Sequence, residues 1–322
     1  MNNKLHILMT ERAGEFREAI VNAAPGCEFR FTEDRDSAQK EDALWADIIL
    51  GQVKPEWLAE CSRLKWLQTG SAGVEHFLKP GTLPQSVILT NSTGAYGLAI
   101  AECMLGMLLS IQKKLALYRD EQNRHKWKPL GSVTSIYGST VLVLGMGDIG
   151  GEFAMRCKAM GAHVIGVRRQ NADKPEYADE LYLTEELDKL LPRADVVAVT
   201  MPGTKETRGM ISRQRIQAMK DGAILLNVGR GYIVDTDALC DALESGKLMG
   251  AGLDVTDPEP LPENHPLWAM PDAVITPHVS GNYSLEETYN RIMKIFIENL
   301  GRYYRGEELM NIVDREAGYK GS

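Results

Sequence analysis

The stretch VLVLGMGDIGGEFA sets glycines at 145, 147 and 150, directly after an apolar run and directly before a helix-like one. That spacing suits a phosphate group. Gly145 permits a tight turn, Gly147 lets the backbone approach a pyrophosphate, and Gly150 allows the helix to pack closely on the strand. Asp148 and Ile149 open the helix, and their amides point with the positive end of its dipole at the anion. The carboxylate of Asp148 would repel a pyrophosphate and is expected to turn to solvent. A glycine turn without a ligand is the alternative, and the strand–turn–helix context favours dinucleotide binding over it.

A dinucleotide fold of this type usually presents an acid about 20 residues further on, which bonds the adenosine ribose. Here that place holds Arg168, 18 residues after Gly150, with Arg169 beside it. An acid would repel a 2′-phosphate, whereas a guanidinium can hold one bidentately and stack on adenine. The pair therefore points to NADP(H). NAD remains possible if both side chains stand solvated at a strand end.

Two series of elements must position these groups. In the first third, LHILMT, CEFRFT, DIILG, LKWLQT and VILTN read as buried strands separated by amphipathic segments. From residue 141 a more regular series follows: VLVLG, HVIGV, DVVAVT, AILLNV, AGLDV and AVITPH, with helices near Ile149–Met160 and Asp235–Ser245. Near-continuous apolar strands alternating with helices imply doubly wound α/β domains with parallel sheets. Between the two series a helix of about six turns is predicted from Leu98 to Arg119. Its buried face would carry Leu98, Ala101, Leu105, Leu108, Ile111 and Leu115. A last helix places Ile292, Ile295, Phe296 and Leu300 on one face. The second sheet is complete by then, so this helix is expected to pack on the first domain.

Composition sets outer limits. With 322 residues, 44% of them hydrophobic, the chain has length for two domains, each with its own core. A net charge of −8 leaves no overall basic footprint for nucleic acid or an anionic membrane. MNNKLHILMT lacks the pattern of a signal peptide. The longest apolar candidate, AIAECMLGMLLSIQ, is interrupted by Glu102 and falls short of the ~20 residues that span a bilayer. Five cysteines without a C-x-x-C pair suggest reduced, packed thiols in the cytoplasm and no metal site.

Taken together, LLNVGRGYIVDTDALCDALESGKLMGAGLDVTDPEPLPENHPLW, VITPHVSG, TGSAGVEHF, NSTGAYGLAIAE and the glycine turn resemble the D-isomer-specific 2-hydroxyacid dehydrogenase family over nearly the whole chain. The resemblance implies a Rossmann dinucleotide-binding domain, residues 98–286, inserted into a flavodoxin-like substrate domain, residues 1–97 and 287–322. It implies NAD(P)H-dependent reduction of a 2-keto acid to the (R)-2-hydroxy acid, and the reverse. Glyoxylate and hydroxypyruvate reductases, as well as reducers of bulkier keto acids, fit the pattern.

The family's catalytic set falls on the Arg of NVGRG, the Glu of DPEP and the His of TPH: Arg230, Glu259 and His278. Each suits its task. Reduction builds negative charge on the carbonyl oxygen, and the Arg230 fork can reach both carboxylate and carbonyl. His278 can deliver the proton near neutral pH. Glu259 on the other ring nitrogen fixes the tautomer and favours the imidazolium. Taken singly, each residue also fits a bland role in a turn or a solvated loop. By the same resemblance, the amides of Ala72, Gly73 and Val74 form a nest for the substrate carboxylate, alongside Arg230 and His278. An ordinary glycine turn is the alternative there.

Further cofactor contacts carry over onto Met201, Pro202 and Thr207, then Val228 and Gly229, then Asp254 near the nicotinamide carboxamide, and Gly281 beyond the catalytic His. The chain departs from many relatives in reading HVSGNY, so that Asn282 and Tyr283 would narrow the pocket. Tyr96, Trp45 and Trp268 could line it too, with the buried core as the default for each. The formate-oxidising branch pairs its His with Gln, and Glu259 argues against it. The resemblance also implies a homodimer built through the cofactor domain, with the Leu98–Arg119 helix and the segment after it as contacts. A nucleotide-sensing regulator resembling C-terminal-binding corepressors is the alternative of a different class.

Overall fold

The computed structural model describes residues 4–34, 36–170, 173–281, 285–316 and 319–320. The chain divides into two compact units, one holding the described residues up to Tyr96 and those from Leu285 on, the other running from Gly97 to Gly281.

The first unit opens with β1 (His6–Met9), α1 (Arg17–Ala23), β2 (Glu28–Phe31), α2 (Lys40–Trp45), β3 (Ile48–Leu50), α3 (Pro55–Leu58), β4 (Trp66–Gln68) and β5 (Ile88–Thr90). The strands pair in parallel in the order β2-β1-β3-β4-β5, which is the flavodoxin-like order. Helices covering both faces explain why Ile7, Leu8, Ile48, Ile49, Trp66 and Leu67 are all fully buried.

The second unit contains α4 (Gly97–Gln112), α5 (Leu115–Asn123), β6 (Thr140–Leu144), α6 (Asp148–Ala159), β7 (His163–Arg168), β8 (Glu180–Leu183), α7 (Leu187–Leu190), β9 (Val196–Val199), α8 (Arg213–Ala218), β10 (Ala223–Asn227), α9 (Thr236–Glu244), β11 (Leu248–Leu253) and β12 (Ala273–Ile275). Its seven strands run β12-β11-β10-β9-β6-β7-β8. Counted from β6, this is the Rossmann order with one strand added past β11. The sequence pointed to six of the seven. β8 escaped because its residues are only partly buried and carry no continuous apolar run.

The predicted six-turn helix is broken. α4 stops at Gln112, Lys114 takes a left-handed conformation at φ 58°, and α5 begins again at Leu115. Along β11, α4 lies so close that a side chain on Gly252 would strike Met107, and one on Gly250 would strike Ile111. Leu115, the first residue of α5, stands 55% exposed. Lys113 and Lys114 donate to the carbonyls of Thr134 and Leu130 on the returning segment. The buried face is also rotated: Ala101, Leu108 and Ile111 lie in it, joined by Ile100, Met104 and Met107, while Leu98 and Leu105 are only half-buried.

After Leu285 the chain forms α10 (Glu286–Arg305), β13 (Val313–Asp314) and β14 (Tyr319–Lys320), the last two an antiparallel pair. α10 packs on the first sheet through buried Ile292, Phe296 and Leu300, and the Tyr303 ring stacks on Trp66 at 5.2 Å. A buried polar network fixes its register. Asn299 donates to Gln68 Oε1 at 2.7 Å and to the Met310 carbonyl at 3.0 Å, and accepts from the Met310 amide at 2.7 Å. Gln68 Oε1 also accepts from Thr90, whose hydroxyl accepts from the Trp66 indole. Asn299→Ala leaves a buried amide and carbonyl without this partner, so it should cost about 1–3 kcal/mol. A urea titration should show this as a lowered midpoint at unchanged slope.

Candidate active site

Three neighbouring strands of the second sheet end in register. Asn227 of β10 lies beside Leu253 of β11, which lies beside Ile275 of β12. The chain leaves each strand at its carboxyl end and within six residues presents a candidate group: Arg230 after β10, Glu259 after β11, His278 after β12. At ~4.8 Å between strands, the outer two exits are about 10 Å apart, within reach of an arginine.

Backbone contacts then tie the three turns together. Asn227, buried at the end of β10, donates to the Arg230 carbonyl at 3.0 Å and accepts from the Gly229 amide at 3.1 Å, closing the NVGRG turn. One Arg230 guanidinium N–H donates to the Gly229 carbonyl at 2.7 Å. Gly231 has no room for a side chain, because a Cβ would stand 1.8 Å from the Thr256 carbonyl oxygen. The Arg230 turn therefore rests on the loop that leads to Glu259. Glu259 in turn reaches His278, with Nδ1 and Oε1 at 2.6 Å. An ionised carboxylate only accepts, so Nδ1 carries the proton and Nε2 is the nitrogen left for a ligand. The two side chains are 47% and 41% exposed, so the pair is open to a ligand.

His278 sits at φ +53°, a left-handed conformation that costs a non-glycine residue of order 1 kcal/mol. Asp254 holds it there. The His278 amide donates to the Asp254 carbonyl at 2.8 Å, and the buried Asp254 carboxylate accepts from the Thr276 hydroxyl at 2.6 Å, the Val279 amide at 3.0 Å and the Ser280 amide and hydroxyl. Resemblance had placed Asp254 against a nicotinamide carboxamide. What the structure displays is a carboxylate engaged by the loop that carries His278.

The glycine turn has the shape of a phosphate cradle. Gly145 adopts φ +102°, and a Cβ on Gly150 would stand 1.9 Å from the Gly145 carbonyl oxygen, so α6 can approach β6 only without one. Gly147 is exposed, with nothing within 4 Å of where its Cβ would be. Asp148 does not turn to solvent as expected. Its Oδ2 accepts from the Gly97 amide at 2.8 Å, so the carboxylate caps the first residue of α4, where unpaired N–H groups attract an anion.

Arg168 ends β7 and folds back on the same turn, donating from Nη2 to the Met146 carbonyl at 3.0 Å, while its Nε is buried without a hydrogen-bond partner. Arg169 beside it is exposed. Met201 backs Gly145, and the Thr207 hydroxyl closes the next turn by donating to the Pro202 carbonyl at 2.9 Å and accepting from the Thr204 amide. Val228 and Gly229 are buried and Gly281 is half-buried. Asn282 and Tyr283 lie outside the described residues.

In the first unit, the SAGV turn follows β4. Its carbonyls are all accepting: Ser71 from the Thr69 hydroxyl, Ala72 from the Asn91 amide, Gly73 from the Ser71 hydroxyl. Among the described residues, the amides of Ala72, Gly73 and Val74 donate to nothing in the protein. Successive free amides of this kind are what an anion nest requires. The aromatics divide. Tyr96 is buried and donates to the Gly70 carbonyl. Trp45 stacks on His6 at 4.4 Å, at the amino end of β1, so it lies away from the ligand edge. Trp268 is 54% exposed rather than in the core.

Residues 105–280 match the family model for the NAD-binding domain of D-isomer-specific 2-hydroxyacid dehydrogenases. A D-isomer-specific 2-hydroxyacid dehydrogenase family protein from Aeromonas salmonicida superposes with a TM-score of 0.84 at 33% identity, over 97% of this chain and 99% of that one. The NADPH-dependent glyoxylate/hydroxypyruvate reductase of Sinorhizobium meliloti, solved with NADP and sulfate, gives 0.81 at 28% identity, over 98% and 100%. Glyoxylate/hydroxypyruvate reductase B of Pectobacterium carotovorum is 32% identical over 272 residues, 82% of this chain and 83% of that protein. The chain belongs to the D-isomer-specific 2-hydroxyacid dehydrogenase family. It is an oxidoreductase served by a nicotinamide cofactor.

Gly231→Ala tests the contact between the turns. The new methyl must push the 256–257 backbone and Glu259 with it, so turnover should fall about a hundredfold with cofactor affinity within a few-fold. Steady-state kinetics and a cofactor titration read both.

Proposed function

We propose that the protein reduces a small 2-keto acid to the (R)-2-hydroxy acid, with NADPH preferred over NADH, and that it runs the reverse reaction with the same groups. The in-register exits of β10, β11 and β12, which bring Arg230 and the Glu259–His278 pair to one edge of the sheet, carry this reading. The nicotinamide, when bound, supplies the hydride. Arg230 binds the carboxylate and stabilises the charge that grows on the carbonyl oxygen. His278 gives its Nε2 proton to that oxygen, and Glu259 stabilises the imidazolium before transfer and keeps the ring oriented after it. The unspent amides of Ala72, Gly73 and Val74 take the substrate carboxylate. Glyoxylate and hydroxypyruvate are the first substrates to try, since similar proteins are named for them.

Arg168 supports the cofactor preference, because its buried, unpartnered Nε and its place at the end of β7 suit a 2′-phosphate. A homodimer accords with the apolar side chains of Leu115, Trp127, Val133 and Tyr137, all exposed on α5 and the segment after it. A second copy of the chain would cover them.

Two variants test the reading. His278→Gln should lower kcat by about 10²–10⁴-fold with cofactor Kd nearly unchanged; a loss below tenfold displaces His278 as the acid. Arg168→Asp should raise the Kd for NADPH by about 30-fold or more, the equivalent of ~2 kcal/mol, and that for NADH by less than about threefold. Equal effects on both cofactors would remove Arg168 from phosphate recognition.

A further inference from the structure

Arg230 has a neighbour that none of the roles above uses. A Cβ built on Gly203 would stand 2.0 Å from the Tyr232 hydroxyl oxygen, 2.7 Å from Tyr232 Cζ and 2.7 Å from Arg230 Cγ. The space that a side chain at 203 would fill is therefore shared by the tip of Tyr232 and the stem of Arg230. On its ring, Tyr232 carries the Arg208 guanidinium 4.1 Å from the centroid. Backbone bonds hold the two segments together: the Gly209 amide donates to the Tyr232 carbonyl at 2.9 Å, and the Ile211 amide to the Ile233 carbonyl at 2.9 Å.

We propose that Tyr232, held under Arg208 and seated over Gly203, is a positioning residue that fixes the side chain of Arg230 for the substrate. The proposal rests on the role given to Arg230 above. An arginine side chain has many rotamers, and ordering it on its own costs much of that freedom. Catalysis by a forked cation needs the guanidinium placed within a fraction of an ångström, so a wall against its methylene stem lowers the cost of each binding event. The wall must be rigid. A phenol ring has only two side-chain torsions, and the cation–π contact with Arg208 helps to keep it in place. Gly203 is the matching requirement, since any larger residue would separate the pair.

The test uses Tyr232→Ala, which removes the wall, Tyr232→Phe, which keeps the ring and its stacking, and Gly203→Ala, which intrudes from below. Two measurements are made on each full-length protein. The first is the rate at which phenylglyoxal modifies Arg230, followed by peptide mass spectrometry, which does not depend on the substrate. It should change at least threefold in Tyr232→Ala and Gly203→Ala and stay at the wild-type rate in Tyr232→Phe. The second is kinetics with glyoxylate or hydroxypyruvate. KM for the keto acid should rise about tenfold and kcat/KM fall about 10–100-fold in the same two variants, with Tyr232→Phe within threefold of wild type. Arg230 labelling at the wild-type rate in Tyr232→Ala overturns the proposal, whatever the kinetics. Altered labelling with unaltered kinetics upholds the clamp and indicts the role assigned to Arg230 instead.

Discussion

The candidate site depends on one constraint: parallel backbone pairing brings β10, β11 and β12 to an end at the same level. Parallel strands all exit at one edge, so three turns far apart in sequence become neighbours there without any attraction between their side chains. Arg230 and His278 are 48 residues apart in the chain and only two strand spacings apart in the sheet. Everything that refines the geometry, from the Asn227 clasp to the Glu259–His278 bond, acts on turns already delivered to the right place by the ladder.

Missing side chains let these parts come together. Gly150 admits α6 to β6, Gly231 lets the Arg230 turn lie on the loop before Glu259, and Gly250 and Gly252 draw α4 down onto β11. Each is a position where backbone or a neighbouring side chain occupies the volume of a Cβ. Close approach of this kind makes the elements rigid, because packed neighbours cannot slide without clashing.

Charge is distributed with similar economy. Two acids beside the candidate cofactor groups bond groups of the protein itself. Asp148 caps α4, and Asp254 gathers the loop that holds His278 in its left-handed conformation. Arg168, against the glycine turn, keeps a buried Nε without a hydrogen-bond partner.

Much of this was legible in the sequence because it depends on local pattern. Apolar runs marked the strands of the two parallel sheets except β8, whose edge position leaves it only half covered; the short pair β13 and β14 carries no such run. Glycine spacing marked the cradle, and the NVGRG, DPEP and TPH segments marked the catalytic candidates, since turn chemistry is written in a few adjacent residues. What tertiary structure alone decided is where helix and side chain meet partners far along the chain. α4 breaks after Gln112, where Lys113 and Lys114 bond carbonyls of the segment that returns at residues 130–134, a contact that periodicity within the helix cannot show. Asp148 turns to Gly97, 51 residues away, Asp254 binds a loop more than 20 residues on, and Tyr232 shares a space with Arg230 over Gly203. Residue type states what a group can bond, and only the fold determines which of its possible partners lies within 3 Å.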